Sequence, residues 1–155
     1  MQQPRKIASF TVDHDFIKEG IYVSRIDGDI VTYDLRTRVP NADDYMDNIT
    51  MHSVEHMFAT YIRSSLIGEN VIYFGPMGCQ TGFYLLVRGL DNNAVFTAVV
   101  DTLEKIISHG GDMFGSTRKE CGNYKNLSLE KAREECKRYL ASLISREQTF
   151  LYPNE

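Results

Sequence analysis

Along this chain the spacing of apolar residues switches between two and three to four, and each switch predicts an element. The runs "GIYVSRI" and "DIVTYDLRTRV" flank "DGD", a turn-forming pair, so residues 20–39 read as an antiparallel hairpin. After Pro40 the polar stretch "NADDYMDN" reads as a loop. A helix is expected from near Thr50 to Gly68, with Asp47, Asn48 and Thr50 all able to cap it. "NVIYF" and "GFYLLVRGL" read as strands on either side of "GPMGCQT", a glycine- and proline-marked turn that presents Cys79. Helical spacing returns from Asp91 to His109, and the irregular segment "GGDMFGSTRKECGNYKN" follows. Loops of that length in a compact domain are often functional. Ser128 caps a last helix, on which Leu129, Ala132, Cys136, Tyr139, Leu140, Leu143 and Ile144 form one apolar stripe. Cys136 is thereby a core residue.

Strands in antiparallel order with long helices between them imply an α+β fold with the helices packed on one face of the sheet. With 155 residues, 43% of them hydrophobic, the chain can bury a core of its own, so one domain over residues 1–155 is expected. A net charge of -4 and the lack of any Lys/Arg block argue against nucleic acid or an anionic membrane as partner. The N-terminus has no long apolar core, and no apolar run approaches the roughly 20 residues that cross a bilayer. A cytoplasmic protein is the expectation. Cys79, Cys121 and Cys136 are odd in number and widely spaced, which disfavours a disulfide framework there and leaves thiolate chemistry.

One stretch interrupts the apolar pattern. "MHSVEHMF", residues 51–58, places His52 and His56 one helical turn apart on the same face with Glu55 beside them. Buried polar groups must find partners, and a metal ion supplies them. H-x-x-E-H is also the signature of inverzincin peptidases, in which two histidines bind zinc and the glutamate works on its water. A third protein ligand is needed, and either Glu130 on the last helix or Cys121 on the long loop meets the count of a catalytic site with one open position. The motif leaves that choice open.

Further motifs accompany it in order: "SFTVDH" from Ser9 to His14, "YDLR" ending at Arg36, "HSVEH", "PMGCQTGFYL" from Pro76 to Leu85, and "ECGNY" from Glu120 to Tyr124. Together they resemble the S-ribosylhomocysteine lyase (LuxS) family over essentially the whole chain. "PMGCQTGFY" with H-x-x-E-H is the specific part. The resemblance implies a homodimeric metalloenzyme with active sites at the subunit interface, which cleaves S-ribosylhomocysteine to homocysteine and 4,5-dihydroxy-2,3-pentanedione, the precursor of autoinducer-2. Carried over by position, it makes His52, His56 and Cys121 the metal ligands and Glu55 and Cys79 the acid/base pair. It also assigns Ser9, His14 and Arg36 to the substrate. Where many members carry an acidic residue and a serine before "PMGC", this chain has Tyr73 and Gly75.

The implied chemistry accounts for these residue types. Moving a ribose carbonyl from C1 to C3 and then losing a β-thiolate takes repeated proton transfers and puts negative charge on oxygen at each step. Two imidazoles and a thiolate suit zinc, iron(II) or cobalt, and the family is associated with iron(II). The readings that compete with a lyase are a metallopeptidase using His52, His56 and Glu130, and a zinc-stabilised binding domain, which wants a closed site of four ligands.

Overall fold

The computed structural model describes residues 2–153. Four strands, β1 (Gly20–Asp27), β2 (Ile30–Arg36), β3 (Val71–Pro76) and β4 (Gly82–Arg88), form one antiparallel sheet in the order β1-β2-β4-β3. The expected hairpin is β1 and β2. Asp27 pairs with Ile30 across the two-residue loop Gly28-Asp29, where Gly28 takes φ 63° as the first residue of a II′-type turn requires.

That turn sets the faces of the sheet. Ile21, Tyr33, Leu35, Phe83, Leu85 and Val87 share one face, with Leu35 between Ile21 and Phe83 and Tyr33 opposite Leu85. They join a single core with the buried residues of three helices, α1 (Asn48–Arg63), α2 (Asn92–Ile107) and α3 (Leu129–Ile144). The fold is therefore α+β, as the order of patterns implied. Phe58 of α1 stacks on Phe74 of β3 at 4.3 Å between ring centroids, and Phe74 stacks on Phe83 of β4 at 5.0 Å. This aromatic column seats α1 on the sheet, and each such pair contributes beyond its buried area. The opposite face carries Tyr22, Asp34, Tyr84 and Gly75, one from each strand in register.

Two expectations need correction. α1 ends at Arg63 rather than at Gly68, because the hydroxyls of Ser64 and Ser65 donate to the carbonyls of Thr60 and Ile62 and take up the helix's terminal acceptors. Ile144 is exposed rather than part of the α3 stripe. Ala132, Cys136, Tyr139 and Leu143 hold the centre of that face, and the i+4 row from Cys136 through Leu140 runs outward to Ile144 at the helix end. Glu135 is buried in the stripe, where its carboxylate accepts from Arg38 Nε at 2.7 Å and from a terminal guanidinium nitrogen at 2.8 Å. This forked pair ties the end of β2 to α3. Cys136 is a core residue as expected, and burial pushes its thiol well up.

Asp47 is the N-cap of α1. Its side chain accepts from the Thr50 backbone N–H at 2.7 Å and from Lys131 Nζ at 2.6 Å. Lys131 first, then Thr50, lower its carboxyl from 3.8 to about 2. A depressed folded value means that this contribution is complete above the unfolded value and is lost as pH falls through about 2. Asp47→Ala should thus cost about 1 kcal/mol in denaturant unfolding at neutral pH. Unfolding curves of variant and parent should converge as the pH is lowered from about 4 to about 2; a gap constant over that range would mean the cap does not act through its charge.

Candidate active site

Two clusters of chemistry-bearing side chains stand on this frame. The first lies under the segment 110–128, which crosses the N-terminal half of α1. His52 Nδ1 donates to the Asn126 carbonyl at 2.9 Å, and His56 Nδ1 donates to the Phe114 carbonyl at 3.0 Å. Each histidine therefore keeps Nε2 free as a ligand atom. Cys121 Sγ is 3.4 Å from His52 Nε2, and one ligand atom each from His52, His56 and Cys121 lie within 4.8 Å of one another. Two oriented imidazoles and one thiol make a three-donor set of the kind that holds a divalent transition metal with a position left over. The donors fit the group.

The segment's path explains how Cys121 arrives there. Ser128 N–H donates to the buried Ser53 hydroxyl at 2.8 Å, and Asn126 reaches the Asn48 side chain, so the end of the loop is fixed on the first turns of α1. Its start is fixed by His109, which donates through Nε2 to the Asp112 carbonyl at 2.8 Å and accepts the Tyr61 hydroxyl at Nδ1, 2.6 Å away. The Tyr61, His109 and Phe114 rings meet edge to face, which sets the Phe114 carbonyl against His56. Gly115, at φ 63°, passes so near that a Cβ would lie 3.0 Å from His56 Nδ1. Glu55 is half-buried on α1 one turn from His52, outside the three-donor cluster. Glu130 is exposed at the start of α3 and is not in the cluster either, so of the two third ligands considered it is Cys121 that stands with the histidines.

The second cluster surrounds Cys79 on the turn between β3 and β4. Gln80 sits in the left-handed region at φ 64°, held by exchange with Met46: its carbonyl accepts from Met46 N–H at 3.0 Å and its side-chain amide donates to the Met46 carbonyl at 2.9 Å. Cys79 is thereby turned outward and exposed. A cleft of about 460 Å³ at the thiol is lined by Ser9, His14, Arg36 and Tyr84 among others. The three residues expected to hold substrate thus converge on Cys79 from two parts of the chain, the N-terminal segment and β2. Ser9 lies in a 3₁₀ turn (Ala8–Phe10), and His14 is steadied by the Val12 carbonyl at 2.9 Å.

Arg36 is buried and forked onto the equally buried Asp34, with Nε to Oδ1 at 3.1 Å and a terminal nitrogen to Oδ2 at 2.6 Å. Burial pulls the guanidinium down, but Asp34 outweighs it and leaves Arg36 firmly charged. Its other terminal nitrogen donates to Thr81 Oγ1 at 2.8 Å and stands 3.9 Å from Cys79 Sγ; Thr81 Oγ1 and Cys79 Sγ are 2.9 Å apart. Burial raises the Tyr84 phenol, Asp34 adds to this, and Arg36 and the Ser9 hydroxyl oppose it. Thr81 and Tyr84 were not anticipated. Strand alternation signalled Tyr84, since Gly82, Tyr84 and Leu86 share the face opposite Phe83 and Leu85; Thr81, on the turn before β4, carried no such signal.

The sequence profile of the family described as S-Ribosylhomocysteinase (LuxS) matches residues 7–150, which include every site residue above. The chain belongs to the LuxS family. It is 38% identical over 156 residues to the S-ribosylhomocysteine lyase of Borreliella burgdorferi (strain B31 among its designations), a match spanning 96% of this chain and 99% of that protein. The S-ribosylhomocysteine lyase of Clostridium acetobutylicum is 39% identical over 144 residues, 89% of this chain and 91% of the relative. That of Desulfotalea psychrophila is 38% identical over 158 residues, again across 96% of this chain and 99% of the relative. Near-complete cover on both sides means that both clusters fall within the shared length.

Within this LuxS chain Tyr73 and Gly75 form one packing unit. A Cβ at position 75 would lie 2.0 Å from the Tyr73 hydroxyl, so the phenol occupies the space a side chain there would need. The ring lies half-exposed over the glycine. Gly75→Ser should therefore force the phenol aside, and Tyr73→Ala should relieve the strain. A double-mutant cycle in denaturant unfolding should show a coupling of about 1 kcal/mol. Additive effects would mean that the ring swings away at no cost.

Proposed function

We propose that this chain is a metal-dependent lyase that cleaves S-ribosylhomocysteine to homocysteine and 4,5-dihydroxy-2,3-pentanedione, the precursor of autoinducer-2. The observation that carries the reading is the convergence of Ser9, His14 and Arg36 on the Cys79 thiol beside a family match spanning the site. The relatives' names supply the substrate. His52, His56 and Cys121 would hold the metal, and iron(II), zinc and cobalt all suit two imidazoles and a thiolate. When bound, it supplies Lewis-acid stabilisation of the negative charge that develops on the sugar oxygens.

The remaining work falls to side chains. Ser9, His14 and Arg36 orient the substrate, with Arg36 as the fixed positive charge of the cleft. Cys79 and Glu55 exchange protons with the sugar carbons as the carbonyl moves from C1 to C3 through enediolates, after which the sulfur leaves β to the new ketone and takes up a proton. The Arg36 guanidinium stands 3.9 Å from the sulfur that takes the base role. Three free thiols accord with a cytoplasmic setting, and among the described residues no helix is long and apolar enough to cross a membrane.

We further assign the working state to a homodimer. Glu55 and the three metal-binding residues line neither of the clefts at Cys79. An acid/base pair must reach one sugar, so the arrangement favours a site in which one subunit brings the metal cluster and Glu55 and its partner brings the Cys79 cleft.

Cys79→Ala should keep full metal content per subunit and lose about 10²–10⁴-fold in thiol release from S-ribosylhomocysteine. His52→Ala should lose metal together with activity. Metal loss in Cys79→Ala would make Cys79 a ligand and overturn the division of roles. Coexpressing these two inactive variants should recover about a quarter of the parent turnover, because half of the dimers are mixed and one of their two sites is intact. No recovery, with mixed dimers verified by mass, would place each site within one chain.

A further inference from the structure

The last described residues of the chain reach the thiol cleft through the sheet. The Phe150 carbonyl accepts from Val23 N–H at 2.8 Å, which pins the C-terminal tail along the outer edge of β1. Phe150 turns toward the helical core, edge-on to Tyr33 and Phe96. Tyr152 turns to the other face, where its ring stacks on Tyr22 with centroids 4.9 Å apart and planes 17° from parallel. Its hydroxyl donates to Asp34 Oδ2 at 2.7 Å. From there the contacts run without a gap: Asp34 to Arg36 at 2.6 Å, Arg36 to Thr81 at 2.8 Å, and Thr81 to Cys79 at 2.9 Å.

We propose that Tyr152 is a positioning residue for the Cys79 thiol, acting through Asp34, Arg36 and Thr81. The carboxylate of Asp34 is the counter-charge of Arg36, and whatever negative charge it directs at the guanidinium subtracts from the field that Arg36 presents to sulfur. A phenol donated to Oδ2 draws part of that charge away and holds the carboxylate in the plane that keeps Arg36 forked. Burial, with Asp34 adding to it, raises the Tyr152 phenol, so it remains a donor across the working pH range. The other titratable groups at the thiol are His14 from the N-terminal segment, Tyr45 from the loop before α1 and Tyr84 from β4, of which Tyr84 also feels Asp34. The catalytic meaning of the relay rests on the reading of Cys79 as a proton shuttle; the relay itself does not.

Tyr152→Phe keeps the ring on Tyr22 and removes only the donor. Iodoacetamide labelling of the metal-loaded full chain, with peptide mass spectrometry to read Cys79 apart from Cys121 and Cys136, measures the thiol directly. The Cys79 labelling profile should move to higher pH by about half a unit, a loss of about threefold in rate at neutral pH, with the melting temperature kept. Thr81→Val should move it the same way, and because Arg36 also faces the sulfur directly at 3.9 Å, adding Tyr152→Phe should move it further but by less than in the parent. Superimposable profiles for Tyr152→Phe and the parent overturn the proposal, as does full additivity of the two substitutions. If the profile moves while kcat stays unchanged, the relay stands and the proton-shuttle role of Cys79 falls; if Cys79→Ala is inactive and the profile does not move, the reverse holds.

Discussion

Everything built on this sheet depends on the register of β2. Asp27 and Ile30 face each other across a two-residue loop, and from that pairing Tyr33 and Leu35 point to the helices while Asp34 and Arg36 point away. A slip of one residue would exchange the two sets, burying the charges among helices and exposing the core. The alternative is costly on both sides: the apolar pair loses its burial, and Asp34 and Arg36, buried on their own face, lose the partners that make their burial tolerable. The same alternation therefore specifies the core and delivers a charged guanidinium to the mouth of the Cys79 turn.

The cluster of His52, His56 and Cys121 depends on a different element, held by different forces. α1 is seated by the Phe58, Phe74 and Phe83 column on its buried side, which leaves His52 and His56 on a flank that the 110–128 segment covers. That segment has no regular structure of its own to satisfy its backbone, and it gives three of its carbonyls to imidazole N–H groups, two of them to His52 and His56. The hydrogen bonds that order the loop are the same ones that select the ligand tautomers, so ordering the loop and preparing the donors are a single event.

The two clusters also differ in how firmly their parts are tied. Arg36, Thr81 and Asp34 are buried and each bonded to the next, whereas Cys79 stands exposed at the apex of its turn. A rigid charged base under an accessible thiol suits a group that must meet a substrate. Tyr73 and Gly75 sit on that same outer face, where the Tyr73 phenol takes the space that a side chain at position 75 would need.

Much of this was legible along the chain, for a physical reason: alternation, helical periodicity and capping are set by near neighbours, so the hairpin, the strands around Cys79, three helices and the caps Asp47 and Ser128 could be read locally. The pairing of His52 with His56 was legible for the same reason, one helical turn being a local distance. Cys121 was one of two open choices for a third ligand and Cys79 was marked by its turn, whereas Ser9, His14 and Arg36 came to attention only through motifs resembling the LuxS family, because nothing in their spacing says what they approach. The tertiary structure alone decided the rest. Which of Cys121 and Glu130 stands with the histidines depends on a loop path fixed by Asn126, Ser128 and His109; whether Glu135 can be buried depends on Arg38 arriving from β2. That Tyr152 reaches Asp34, 118 positions away, depends on the tail following the edge of β1. Contacts between distant residues are set by how elements pack and register, and no local pattern encodes that distance.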